Sequence, residues 1–315
     1  MGPNSELRVF SGTSNPKLAN EIVSYLGLKP GEIKLSRFSG GEIYARVLEN
    51  VRGQSAVVVQ TCTANVNDEL MELFIIVDAL KRASARSITA VIPHFGYARQ
   101  DKKSASREPI SARLVADLMT TAGVDRVITM DLHSDQIQGF FDIPVDHLTA
   151  IPVLTKYILG KNLKDVVVVA PDIGRAKTAK KLGDRLGAKL AIIHKSRPEQ
   201  QKAEVLHVVG EVKGNTVLLV DDMIDTAGTA TRGVETLKKL GANPDVYLVA
   251  THGILSDAAI DKIKEAKFKE VVITDTIPLT KEKQIPEIKI ISTAEAFGEA
   301  IKRNYQNQSI SSLFD

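Results

Sequence analysis

The sequence predicts an α/β fold of two similar domains, each a mostly parallel sheet flanked by helices. Three observations carry this: short Val- and Ile-rich runs recur along the chain, helix-length amphipathic stretches fall between them, and several of those stretches stop at glycine. The runs are Ala56–Val59, Ile88–Ile92, Arg126–Met130, Val166–Ala170, Leu190–Ile193, Val217–Val220 and Val246–Ala250. They are nearly continuous in apolar residues rather than alternating, as parallel strands covered on both faces must be. Helical patterns span Asp68–Ala83, Ser111–Thr121, Arg175–Leu186, Ala230–Leu240 and Ser256–Ala266. Gly123, Gly187 and Gly241 follow three of them, where a left-handed residue closes a helix at no steric cost. Strand–helix alternation of this kind gives an open parallel sheet.

The 315 residues suit two domains. Periodicity breaks over Asp142–Pro152, which carries Pro144 and Pro152, and then restarts, so the domains are placed at 1–150 and 151–315. The last residues, Gln306–Asp315, are polar around Leu313 and Phe314 and read as a frayed tail or one docked back on the first domain. Lys and Arg total 41 against 38 Asp and Glu, and this balance argues against a nucleic-acid or membrane partner. The single cysteine, Cys62, allows no internal disulfide and fits a reducing cytoplasm. No run approaches the ~18 apolar residues of a membrane span. Met1–Glu6 lacks the basic and apolar regions of a secretory signal.

The strongest chemical signal is Val217–Thr229, VLLVDDMIDTAGT. An apolar strand delivers Asp221 and Asp222, and then Asp225, Thr226, Ala227, Gly228 and Thr229 lead into a helix. Ligands of open α/β sheets bind beyond the carboxyl ends of the strands. A turn of small residues opening a helix aims N–H groups at an anion. Ionised carboxylates accept two hydrogen bonds from adjacent hydroxyls. A phosphate at one end and a vicinal diol at the other describe a sugar phosphate such as ribose 5-phosphate. A cluster of helix-capping acids is the competing reading, but one aspartate would satisfy it.

Four further segments carry chemistry. His94–Pro109, HFGYARQDKKSASREP, sets Arg99, Lys102, Lys103 and Arg107 beside Phe95 and Tyr97. Cations interleaved with aromatics grip polyphosphate and stack on a base, and a solvated basic loop is the alternative. Val127–Phe141, VITMDLHSDQIQGFF, brings Asp131 and His133 to the end of a strand, and Val168–Arg175, VVAPDIGR, does the same for Asp172. Ile193–Pro198, IHKSRP, holds Lys195 and Arg197 where a strand meets a polar stretch. Cations there suit phosphoryl-type transfer, which relies on positioning and charge neutralisation. Ser36–Arg46, SRFSGGEIYAR, holds Phe38 and Glu42. Neither G-x-x-x-x-G-K-[ST] nor G-x-G-x-x-G occurs, and there is no H-E-x-x-H or Cys/His cluster.

VLLVDDMIDTAGT resembles the phosphoribosyl-binding motif of the phosphoribosyltransferase fold. GYARQD and DLHSDQIQGFF resemble segments of the ribose-phosphate pyrophosphokinases, and the likeness runs from Arg8–Gly12 to Ser309–Phe314. It implies two phosphoribosyltransferase-type domains and transfer of the diphosphate of ATP to ribose 5-phosphate. It implies ATP contacts at Phe38, Gly40, Gly41, Glu42, Arg99 and Gln100. Ribose 5-phosphate is implied at Arg197, Asp221, Asp222 and Asp225–Thr229. Mg2+ is implied at His133 and Asp172, and catalytic cations at Lys195 and Arg197. Phosphate and ADP as effectors, at a site including Arg52, Ser84, Ser309 and Ser311, and a homohexamer follow from the same resemblance. Three residues depart from the family pattern: Gly40 for a usual Asp, Arg175 for a common Gly, and Ala170 for a common Ser. Arg175 either adds a cation near the diphosphate or crowds its turn. A phosphoribosyltransferase and a non-catalytic regulatory member of the pyrophosphokinase family are the alternatives.

Overall fold

The buried runs become the inner strands of two sheets in the computed structural model, which describes residues 6–196 and 205–313. The chain divides into two compact units. One comprises residues 1–149, 276–278 and 292–315, and the other residues 150–275 and 279–291.

The first unit opens with β1 (Leu7–Ser11) and α1 (Pro16–Tyr25). Asn15 starts α1 by accepting from Leu18 N at 3.3 Å, with Pro16 just inside the helix. Next come β2 (Ile33–Arg37), β3 (Ile43–Val47), β4 (Ser55–Val59), α2 (Val66–Arg82), β5 (Ser87–Ile92), α3 (Ser111–Ala122), β6 (Arg126–Met130) and β7 (Val145–Leu148). The sheet runs β1-β4-β5-β6-β7, all parallel, while β2 and β3 form a separate antiparallel hairpin. Phe10, Leu73, Ile76, Leu80, Ile92 and Met119 fill its core. Gly123 closes α3 with φ 117°, as its position after the helical pattern predicts.

The second unit contains α4 (Ile151–Leu159), β8 (Val166–Ala170), α5 (Ala176–Leu186), β9 (Lys189–Ser196), β10 (Val205–Val209), β11 (Thr216–Ile224), α6 (Gly228–Lys239), β12 (Val246–Gly253), α7 (Ala259–Ala266), β13 (Glu270–Thr274) and β14 (Ile288–Ile291). Its sheet runs β10-β9-β8-β11-β12-β13-β14, parallel except for β10 against β9. Every residue of β12 is buried, which the unbroken apolar run Val246–Ala250 predicts for an inner strand.

The chain then returns to the first unit as α8 (Ala294–Tyr305). Tyr25 OH donates to Glu299 Oε2 at 2.9 Å, and Asn304 Nδ2 donates to Asp146 Oδ2 at 2.6 Å, tying α8 to α1 and β7. Residues 292–315 therefore group with the first unit, as do 276–278.

Register positions the chemistry. β11 pairs with β8 only as far as Leu219 opposite Val169, yet it continues beside β12 to Ile224 opposite Gly253. Its tip, with Asp221 and Asp222, overruns the carboxyl end of β8. No described helix is long and apolar enough to cross a membrane.

Candidate active site

At the tip of β11 the chain turns through Asp225–Ala227 into α6. Ala227 is left-handed, with φ 59°, and small enough to take that conformation at modest cost. Gly228 begins the helix, and α6 starts two residues before the Ala230 that periodicity marks. Asp225, Thr226, Ala227, Gly228 and Thr229 are thus one turn at a helix N-terminus, with Asp221 and Asp222 immediately behind it.

Three carbonyls of this turn are held from one side. Leu255 N donates to Ile224 O at 2.9 Å, Ser256 N to Asp225 O at 3.0 Å, and Lys262 Nζ to Thr226 O at 3.2 Å. Ser256 Oγ also bonds the Asp225 carboxylate. Sequence periodicity starts the next helix at Ser256, but α7 begins at Ala259. Leu255 and Asp257 adopt φ of 50° and 49°, and the segment before α7 bends to hold the turn.

The acids meet Arg175. Its Nη2 lies 3.1 Å from Asp222 Oδ2 and its Nε 3.5 Å from Asp221 Oδ1. All three side chains are largely buried, at 15% exposure for Arg175, 25% for Asp221 and 6% for Asp222. Burial first, and then the neighbouring Asp222, push the Asp221 carboxyl up to about 8, against which the Arg175 guanidinium acts in the opposite direction. Arg175 therefore faces the acids behind the turn. Asp222 is the more deeply engaged of the two, and Asp221 presents the more open edge.

Asp172 follows β8 and caps the next short turn, its Oδ1 accepting from Arg175 N at 3.1 Å. His133 stands in the first unit, half-buried after β6. There Asp131 is left-handed, with φ 38°, and Leu132 N donates to His147 Nε2 at 2.8 Å. Since Nε2 accepts, Nδ1 carries the His147 proton and faces Asp135 at 3.8 Å. Among the described residues no three His, Cys, Asp or Glu side chains gather into a metal cage. Mg2+ needs none, because it is commonly held by one or two carboxylates together with substrate phosphates and water. The hard oxygen donors at the strand ends fit that mode. Lys195 lies in β9 with its backbone opposite Leu206, but its side chain and the whole of Arg197 lie outside the described residues.

On the first unit, Phe38, Gly40, Gly41 and Glu42 form the β2–β3 turn, closed by Phe38 N to Glu42 O and Gly41 N to Phe38 O, both 2.9 Å. Phe38 is 57% exposed and meets Tyr44 edge-on at 5.7 Å, so its other face is open for stacking. A Cβ at Gly40 would meet nothing within 4 Å, so the departure from Asp there is not forced by crowding at the backbone.

The basic loop keeps Arg99, Gln100, Lys102, Lys103 and Arg107 at the surface, and Glu108 ties it by accepting from Ser104 N and Ala105 N. Of the two aromatics in this loop, Phe95 does not offer a ring to a base. Phe95 is 2% exposed and packs edge-on against Phe141 at 5.7 Å, so it belongs to the core and cannot stack on a base. Tyr97 bonds Asn67 through its hydroxyl. Ser84 O accepts from Gly53 N at 2.9 Å, which brings Ser84 beside Arg52. Ser309 and Ser311 pair through their hydroxyls at 3.1 Å in the C-terminal segment. The residues that sequence reasoning missed are Ser256 and Lys262, which hold the turn from the following strand–helix unit.

Known proteins resemble this chain over nearly its whole length. Residues 7–123 match the N-terminal domain of ribose phosphate pyrophosphokinase, and residues 198–315 match the phosphoribosyl synthetase-associated domain. The ribose-phosphate pyrophosphokinase of Caldanaerobacter subterraneus subsp. tengcongensis is 54% identical over 311 residues, 98% of each chain. That of Fusobacterium nucleatum is 50% identical over 313 residues, 99% of each chain. The crystal structure of phosphoribosylpyrophosphate synthetase from Mycobacterium smegmatis superposes with a TM-score of 0.91 at 46% identity, covering 96% of this chain and all of that one. With relatives matched over nearly their whole length and in both compact units, this chain belongs to the ribose-phosphate pyrophosphokinase family.

Proposed function

We propose that the protein transfers the β,γ-diphosphate of Mg-ATP to the 1-hydroxyl of ribose 5-phosphate, giving 5-phosphoribosyl 1-diphosphate and AMP for nucleotide biosynthesis. The observation that carries this is the continuity of the β11 tip: two acids, an anion-binding turn and a helix N-terminus within Asp221–Thr229. The sugar's phosphate lies on the N–H groups of Asp225–Thr229. Its diol bonds chiefly to Asp221, whose carboxylate is the more open, with Asp222 held behind by Arg175. Adenine stacks on the exposed face of Phe38, with Gly40, Gly41 and Glu42 lining its edge and Arg99 and Gln100 reaching the nucleotide. The 1-hydroxyl attacks the β-phosphorus and gives up its proton to solvent, and the bond between the β-phosphorus and the α,β-bridging oxygen breaks to release AMP. Lys195 and Arg197 neutralise charge on the transferring diphosphate. Asp172 and His133, together with ATP, would hold Mg2+, which would supply charge neutralisation at the phosphates. Phosphate and ADP act as effectors through Arg52, Ser84, Ser309 and Ser311, in a homohexamer in the cytoplasm.

The test is to follow AMP against ADP with ATP, Mg2+, phosphate and ribose 5-phosphate. AMP formed only in the presence of the sugar phosphate supports the proposal. No turnover by assembled protein removes it, and base-dependent consumption of phosphoribosyl diphosphate would point to a phosphoribosyltransferase.

A further inference from the structure

Lys262 lies outside the segments that carry chemistry in the sequence, yet its ammonium reaches from α7 to the turn that receives the sugar's phosphate. A Cβ placed on Gly228 would stand 4.0 Å from Lys262 Nζ and 3.9 Å from Arg232 Nη1. Two cations therefore converge on the first residue of α6. A helix N-terminus already carries about half a positive charge, so cations there are at the unfavourable end. An anion bound at the same place reverses the sign of that interaction for both.

The hydrogen bonds add a second argument. In a trans peptide the carbonyl of one residue and the N–H of the next point in opposite directions. The carbonyls of Ile224, Asp225 and Thr226 are all held by the Leu255–Lys262 segment. The N–H groups of Asp225, Thr226 and Ala227 must then face away from that segment, as an anion cradle requires. Lys262 holds the last of these carbonyls and so fixes the direction of the Ala227 N–H, in the one left-handed residue of the turn.

We propose that Lys262 is a specificity-determining residue for the phosphorylated sugar, orienting the Ala227 amide and supplying positive charge to the 5-phosphate from outside the loop motif. This rests on the sugar-phosphate reading of Asp225–Thr229. Ser256, which holds Asp225 by backbone and side chain, shares the positioning but not the charge.

The test measures binding of ribose 5-phosphate and of Mg-ATP by titration calorimetry on the full-length assembled protein. Lys262→Met should weaken ribose 5-phosphate about tenfold, the scale of one lost hydrogen bond from a charged group. It should also flatten the salt dependence of that binding and leave Mg-ATP within about twofold. Lys262→Arg should restore most of the affinity. Unchanged affinity in Lys262→Met overturns the proposal, as does a Lys262→Arg variant as weak as Lys262→Met, since shape and not charge would then be at stake. Wild-type protein that binds Mg-ATP but no ribose 5-phosphate overturns the sugar-phosphate reading itself, and the assignment of Lys262 with it.

Discussion

Replacing Arg175 with Met keeps the aliphatic bulk and removes a cation that contacts both acids behind the sugar loop. Asp222 is 6% exposed and 3.1 Å from the guanidinium, so the variant removes this buried counter-charge without admitting water in its place. Breaking a buried pair by removing one partner costs about 3–5 kcal/mol. The acid pair has one escape, which is to bind a further proton. For an aspartate that titrates near about 3.9 in the unfolded chain, holding a proton at pH 7 costs about 4 kcal/mol, and at pH 5 only about 1.5 kcal/mol. Proton uptake therefore limits the loss to roughly 4 kcal/mol at pH 7 and roughly 1.5 kcal/mol at pH 5. The sign follows from linkage. The folded variant retains a proton that its unfolded chain has already released above about pH 4, so the deficit grows as pH rises. Urea unfolding of wild type and variant at the two pH values reads the difference. Hydrogen exchange in peptides from β8 and β11 assigns it to the second unit. A deficit that is equal at both pH values, or larger at pH 5, would refute the reasoning, because the acids would then not be coupled through Arg175.

Three other outcomes follow from the geometry. The Asp221 carboxyl, raised to about 8 chiefly by burial, must ionise to accept both sugar hydroxyls, so ribose 5-phosphate affinity should improve about tenfold between pH 7 and pH 9 and then level off; a flat calorimetric profile over that range excludes Asp221 as the diol acceptor. In the β2–β3 turn, the Cβ of Gly40→Asp meets no neighbour, so this substitution should change stability by less than ~0.5 kcal/mol while tightening ATP binding, whereas Gly41→Ala, at φ 92°, should cost about 1 kcal/mol from backbone strain alone, as thermal unfolding and ATP titration will report. Cys62 is 1% exposed and its thiol is pushed up to about 12, first by burial, so a disulfide reagent at pH 8 should leave native protein unlabelled and react fully after unfolding; fast native labelling would contradict the packing around it.

What the sequence revealed of the fold follows a physical line between the middle of a sheet and its edge. The marked runs become β4, β5, β6, β8, β9, β11 and β12, each with a hydrogen-bonded strand on both sides. Unmarked strands include all four edges of the two large sheets, β1, β7, β10 and β14. An edge strand pairs on one side only and tolerates charge, so LRVFS, VDHL and IKII interrupt the apolar signal with Arg8, Asp146 and Lys289. β13, an inner strand reading EVVIT, stands apart from that rule. Helix ends deviate where the site needs the backbone elsewhere. Ser256 has the composition of a helix start, yet α7 waits until Ala259 because Leu255 and Ser256 are engaged with the turn after β11.

The same distinction governs the site. Asp221–Thr229 is legible because strand, acids and turn are contiguous, so one stretch of text carries the acceptors and the cradle together. Arg175 is legible as a departure, but VVAPDIGR contains nothing that turns its guanidinium toward acids on another strand. That follows only from the register, in which β11 outruns β8 and leaves its acids opposite the chain that emerges from β8. Phe95 and Tyr97 sit two residues apart in a basic loop and look equivalent in text. Phe95 is drawn into the core because His94 bonds back to Cys62 O at 2.7 Å and Gly96 passes where a Cβ would lie 2.5 Å from Val66, which leaves Phe95 facing inward onto Phe141. Ser256 and Lys262 are illegible for the opposite reason: their partners lie 31 and 36 residues away, across a whole helix and strand. Motif text in this fold therefore names the groups that touch substrate, while the neighbouring strand–helix unit sets the direction in which those groups point.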